Sequence, residues 1–206
     1  MEEYKNKIAQ DALQLFLKLG VRSVTMDDVS SQLGISKKTV YKYFANKPEL
    51  IDYAFHIYFE QIIEIMTGVH ERSRNAIDEL FEMDEVMCSL TRSWHPGVLF
   101  QLRKYYPETW ATIERRRSES IMHFVRENLL SGIEVGLYRP EIKVDIITEL
   151  YMSKTTIFIN KDFFQNTPYS LADVATENLE YHMRGITTPK GLKYFESKIK
   201  DRILCK

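Results

Sequence analysis

Residues 34–47 carry four lysines, Lys37, Lys38, Lys42 and Lys47, and no acid. Interleaved with them are the hydroxyl residues Ser36 and Thr39 and the tyrosines Tyr41 and Tyr43. Ammonium and hydroxyl groups in this mixture suit contact with nucleic-acid phosphates, and those in the N-terminal half of a helix can reach base edges in a major groove. A solvated surface helix can also be rich in lysine. It does not require the capping residues, glycine turn and aromatic pair found around this cluster.

Two short helices must present these groups. In Val24-Thr25-Met26-Asp27-Asp28-Val29, Thr25 is placed to accept a bond from the Asp28 amide while Val24 packs on Val29 as a hydrophobic staple. The same grammar returns in Ile35-Ser36-Lys37-Lys38-Thr39-Val40, with Ser36 as cap, Ile35 and Val40 as staple, and Gly34 permitting a tight turn before them. Helices over 26–33 and 37–44 joined by that turn form a helix-turn-helix. On the second helix Val40 and Phe44 stand four apart and face the core, which turns Lys38, Thr39, Tyr41, Lys42 and Tyr43 largely outward. Thr25, Lys37 and Lys47 sit at helix starts, where amides and the positive end of the dipole favour phosphate.

The run from Thr25-Met26-Asp27-Asp28-Val29 through Gly34-Ile35-Ser36-Lys37-Lys38-Thr39-Val40-Tyr41-Lys42-Tyr43-Phe44 to Asn46-Lys47-Pro48-Glu49-Leu50 resembles the DNA-binding signature of TetR-like transcriptional regulators. That resemblance implies an α-helical homodimer whose variable C-terminal domain binds a small molecule and changes DNA affinity through the fourth helix. It also implies backbone contacts from Thr39, Tyr41, Tyr43 and Lys47, and base contacts from Lys37, Lys38 and Lys42. There are two departures. Lys38 stands where glycine or another small residue is common, which adds charge, and Ser30 stands where alanine is common.

The remaining sequence is consistent with this reading. Of the 206 residues, 44% are hydrophobic and 28% charged, the balance of an ordinary folded protein. The chain's charge of −1 divides into +2 over residues 1–50 and −3 beyond, a basic head on a mildly acidic body. Apolar residues recur at spacings of three and four throughout, and hairpin signals are missing, so the expected class is all-α. A three-helix helix-turn-helix DNA-binding domain is expected over 1–47, and a helical-bundle ligand-binding and dimerisation domain over 48–206. Helix one is expected over Glu3–Leu19, with Ile8, Ala12, Leu15, Phe16 and Leu19 on its buried face and Gly20 as its stop. A fourth helix follows from Asn46 to about Met66, with others near 75–91, 96–104, 107–134, 143–164, 170–186 and 189–201. Pro96, Pro107 and Pro189 fall in first turns, whereas Pro140 and Pro168 fall in loops.

The body offers weaker signals. Trp94, His95, Phe100, Tyr105, Tyr106 and Trp110 either line a pocket for an apolar or aromatic effector or belong to the core. Ile147, Leu150, Tyr151, Phe158, Val174, Leu179 and Met183, on the helices near 143–164 and 170–186, supply either a dimer interface or intrachain core. No two of His95, His123 and His182 stand four apart, and Cys88 and Cys205 form no CxxC, so neither metal nor cofactor is expected. The run Glu114-Arg115-Arg116-Arg117 is either an anion site or a solvated face. The opening Met1-Glu2-Glu3-Tyr4-Lys5 lacks an export signal and no 18-residue apolar run follows, so a cytoplasmic protein without membrane contact is expected. No GxSxG, HExxH, P-loop or GxGxxG occurs, which argues against an enzyme. A helical module that binds proteins rather than DNA is the other alternative. A two-fold dimer with double-stranded DNA as its partner would select an inverted-repeat operator.

Overall fold

The computed structural model describes residues 2–91, 94–95, 97–159 and 168–199, without the side chains of 88, 91, 156–159 and 171–172. Pro96 and Cys205 lie outside the described residues. The described chain is all-α: α1 Glu2–Leu19, α2 Met26–Leu33, α3 Lys37–Tyr43, α4 Lys47–Arg72, α5 Ala76–Thr91, α6 Val98–Tyr105, α7 Pro107–Glu134, α8 Val144–Ile159, α9 Leu171–Ile186 and α10 Pro189–Ile199. The only β-pairing among these residues is an isolated bridge between Tyr138 and Thr187. No helix among them is long and apolar enough to cross a membrane.

Two compact units are formed, one from Met1–Ile65 with Leu90–Arg117 and the other from Met66–Ser89 with Ser118–Lys206. In the first, α1 buries Ile8, Ala9, Ala12, Leu13, Phe16 and Leu17. This corrects the expected face at its end, because Leu19 is 49% exposed and Leu15 only partly buried. The chain leaves the helix there, at Gly20 with φ of 88°. α2 packs on α1 and on α3, and Val24, Val29, Val40, Phe44, Leu50, Ile51 and Phe55 complete this core. α4 runs on past Met66 to Arg72. Val69 is fully buried, and that anchor outweighs the roughly 1 kcal/mol that Gly68 costs inside a helix.

The second unit closes around Val69, Ile77, Leu80, Phe81, Val125, Leu129, Tyr138, Met183, Ile186 and Phe195, with the Phe81 and Phe195 rings stacked at 5.5 Å. A Cβ on Gly132 would lie 2.0 Å from the Tyr138 ring, and one on Gly191 would lie 2.0 Å from the Leu137 carbonyl oxygen, so both positions need glycine to let the chain approach. Inside this core Asn128 joins Glu79, Tyr138 and the Ala76 carbonyl, and Glu79 also meets His70 Nδ1 at 2.6 Å. Pro107 and Pro189 each open a helix as expected, while Pro140 and Pro168 lie in a turn and a bend.

Candidate nucleic-acid interface

The recognition surface is assembled from caps. Thr25, in extended conformation, accepts the Asp28 amide at 3.1 Å, and the Asp28 carboxylate accepts both the Thr25 amide and hydroxyl at 2.7 Å. These bonds hold the Asp28 carboxyl below its ordinary range, the Thr25 hydroxyl contributing most. Gly34 then takes φ of 62°, a left-handed conformation that ends α2 and frees the chain to turn. Ser36 caps α3 by accepting the Thr39 amide at 3.1 Å, and the two hydroxyls pair at 2.8 Å. A third cap, which sequence reading did not single out, starts α4: Asn46 accepts the Glu49 amide at 2.9 Å while Glu49 accepts the Ala45 amide at 2.8 Å. The Asn-x-x-Glu spacing was its signal.

Val40 and Phe44 are fully buried and set the rotation of α3. Lys38 and Lys42 are consequently exposed on one helical face, with Tyr41, 44% exposed, beside them. Tyr43 is half-buried, its ring 5.5 Å from that of Tyr4. Lys5, also missed from sequence, lies 5.0 Å from the Phe44 ring and 4.3 Å from the Tyr53 ring, and Tyr53 donates to Asn6 at 2.6 Å. These contacts fasten α1 to the recognition helix and to α4.

Several of the expected contact residues have partners within the protein. Thr25 and Ser36 act as caps. Lys37 pairs with Asp27 at 2.7 Å, which raises the lysine's pKa through the hydrogen bond and charge of Asp27. Both side chains are more than half exposed, so the pair is weak. Lys47 donates from Nζ to the Arg22 carbonyl at 3.2 Å, and partial burial pulls its pKa down against the attraction of Asp28.

The segment 8–54, which contains α2, α3 and the three caps, matches the family model for bacterial regulatory proteins of the tetR family. That match covers the N-terminal segment, and the similarity to regulators of this kind extends over the rest of the chain at lower identity. The transcriptional repressor KstR2 of Mycobacterium tuberculosis is 21% identical over 187 residues, covering 89% of this chain and 92% of that protein. The fold also matches the solved structure of FadR from Bacillus subtilis in complex with stearoyl-CoA, with TM-score 0.65, 20% identity and coverage of 87% and 97% of the two chains. A regulator from Saccharomonospora viridis in complex with choline gives TM-score 0.75 at 14% identity, covering 91% and 100%. The matched segment and these relatives support a DNA-binding transcriptional regulator, and the relatives are themselves regulators.

The members of the aromatic set expected around an effector differ in exposure among the described residues. Trp94 packs on Tyr58 with centroids 5.7 Å apart, and Tyr106 is half-buried, which raises its hydroxyl pKa. His95 and Trp110 are also half-buried, whereas Phe100 is 63% exposed and Tyr105 40%. A small cleft of about 30 Å³, enough for a water or two, lies among Asp52, His56, Phe59, Thr109, Thr112, Ile113 and Arg116. The arginine run is tied up locally, Arg116 with Glu60 and Arg117 with Glu114 at 2.8 Å. His123 is exposed and His182 buried, and no group of three or more potential metal ligands occurs among the described residues.

The residues expected at a dimer interface divide between two environments. Met183 is fully buried, and Ile147, Tyr151 and Leu179 pack against the core of the second unit. Leu150 is 55% exposed, as are Ile146 at 52% and Tyr181 at 76%, while Val174 is half-buried. The Phe158 side chain lies outside the described residues.

Proposed function

We propose that this protein is a homodimeric repressor that binds an inverted-repeat operator through residues 1–47 and leaves it when residues 48–206 take up a small molecule. The observation that carries the reading is the capped helix α3, rotated by buried Val40 and Phe44 so that Lys38, Tyr41 and Lys42 are exposed together. Lys38 and Lys42 reach base edges, while Tyr41, Tyr43, Thr39 and the helix-start residues Thr25, Ser36, Lys37 and Lys47 contact phosphates.

Exposed Leu150, with Ile146 and Tyr181, supports a second copy on α8 and α9. The stearoyl-CoA and choline bound to the neighbours support an apolar or amphiphilic effector for this chain too. The effector acts through its difference in affinity for two states, a coupling of ~1–3 kcal/mol.

Selection of bound duplexes from a random DNA library at two salt concentrations tests this function. The expected product is an inverted repeat whose affinity falls with a log–log salt slope of roughly −5 to −9 for the dimer, equivalent to about three to five phosphates per subunit. A folded protein that enriches no duplex at either salt, with or without added acyl-CoA or choline, overturns the reading.

A further inference from the structure

The α1–α2 turn is held from outside the helix-turn-helix. Gln101 on α6 accepts the Arg22 amide at 2.8 Å, and its amide group sits over Gly20, 3.0 Å from where a Cβ would stand. Tyr105, one turn further along α6, accepts from the Arg22 guanidinium at 3.1 Å, and that guanidinium lies 4.9 Å from the tyrosine ring centroid. Just before α6, the His95 amide donates to the Leu17 carbonyl at 2.6 Å. All of these residues belong to the first unit.

The turn in its own right touches the proposed DNA contacts. The Arg22 carbonyl accepts Lys47 Nζ at 3.2 Å, and Thr25, three residues on, is locked to Asp28, whose charge acts on Lys47. A continuous set of short polar contacts therefore joins Gln101 and Tyr105 to the lysine at the start of α4.

We infer that Gln101 and Tyr105 are positioning residues for DNA binding, which set the place of Lys47 through the Arg22 backbone. Neither touches DNA. The inference rests on the DNA-binding reading and deepens it, because displacement of α6 by a few tenths of an ångström is passed to a phosphate contact without any change in α3. Arg22 stays engaged with Tyr105, so it adds no phosphate contact of its own.

A double-mutant cycle on the duplex recovered from the library tests this, with Gln101→Leu, Tyr105→Phe and Lys47→Gln alone and combined. Gln101→Leu and Tyr105→Phe should each weaken binding by roughly three- to tenfold, the equivalent of one net hydrogen bond, with the helix content unchanged and the salt slope reduced by no more than in Lys47→Gln. Lys47→Gln should weaken binding and reduce the magnitude of the slope by about 0.9 per subunit. In the Lys47→Gln background the α6 substitutions should have no further effect. Additive losses, or no loss from either α6 variant, overturn the positioning role while leaving the DNA-binding function intact. A slope reduced in Tyr105→Phe by more than in Lys47→Gln also overturns it, because α6 would then hold a further phosphate-binding group in place. Wild-type protein that binds no duplex overturns the function itself.

Discussion

Asn128→Leu should destabilise the second unit by about 3–5 kcal/mol, a large share of the ~5–15 kcal/mol that holds a typical domain. Asn128 is 1% exposed, and its amide nitrogen donates to the Ala76 carbonyl at 2.8 Å and the Glu79 carboxylate at 2.7 Å. Its oxygen accepts the Tyr138 hydroxyl at 3.1 Å. Leucine keeps the same heavy-atom branching and is the larger side chain, so no cavity opens and the loss is chiefly polar. The bond to the carboxylate is worth ~1.5–3 kcal/mol, and the carbonyl and hydroxyl left unpaired each cost ~1–3 kcal/mol. The total stays near the lower part of that sum because Glu79 keeps His70, whose half-exposed ring gives water a route to the carboxylate.

Urea unfolding followed by far-ultraviolet circular dichroism reads the effect. With a slope of ~2 kcal/mol/M the midpoint should fall by about 1.5–2.5 M. A shift under about 0.5 M at unchanged slope would refute the reasoning, since it would mean that the network contributes no more than an exposed polar contact. Asn128→Asp sharpens the test. It places a second carboxylate against Glu79, so the pair in the folded state holds a proton more tightly than the unfolded chain does. That variant should be least stable at neutral pH and recover as the pH falls.

Three further outcomes are expected. Thr25→Ala removes the α2 cap and should cost about 1 kcal/mol in a thermal melt at pH 7; the Asp28 pKa is depressed through Thr25, so this stabilisation is present above the ordinary carboxylate pKa and the gap to wild type should narrow as the pH falls through the folded-state value. His182 is buried, chiefly by desolvation and secondarily by Lys154 held at about 4 against an ordinary 6.5, so the unfolded chain binds the extra proton between those values; wild type should lose about 3 kcal/mol as the pH drops from 6.5 to 4, and His182→Phe should lose much less in a pH series of urea melts. Leu150→Glu should turn a dimer into a monomer in sedimentation velocity without lowering the helix content, and a variant that stays dimeric removes α8 from the interface.

What was legible in the sequence and what was not divide by contact range. Thr25–Asp28, Ser36–Thr39 and Asn46–Glu49 each close within three residues, so the helix starts follow from residue type and spacing alone. The rotation of α3 was equally legible, because Val40 and Phe44 are the only large aliphatic or phenyl side chains on a seven-residue helix and its C-cap. Where apolar residues surround a helix, periodicity loses its power. On α8 it could not separate Ile147 and Tyr151, which pack inward, from Ile146 and Leu150, which are exposed. On α6 the buried pair is Val98 and Leu102, and Phe100, two residues from each, is thereby turned outward despite its ring. The Arg22–Tyr105 contact spans 83 residues, and nothing in the sequence pairs a turn arginine with a tyrosine read as pocket or core. That difference in range explains why α3 and its caps could be read from residue types, while the link from α6 to Lys47 became visible only once the chain was folded.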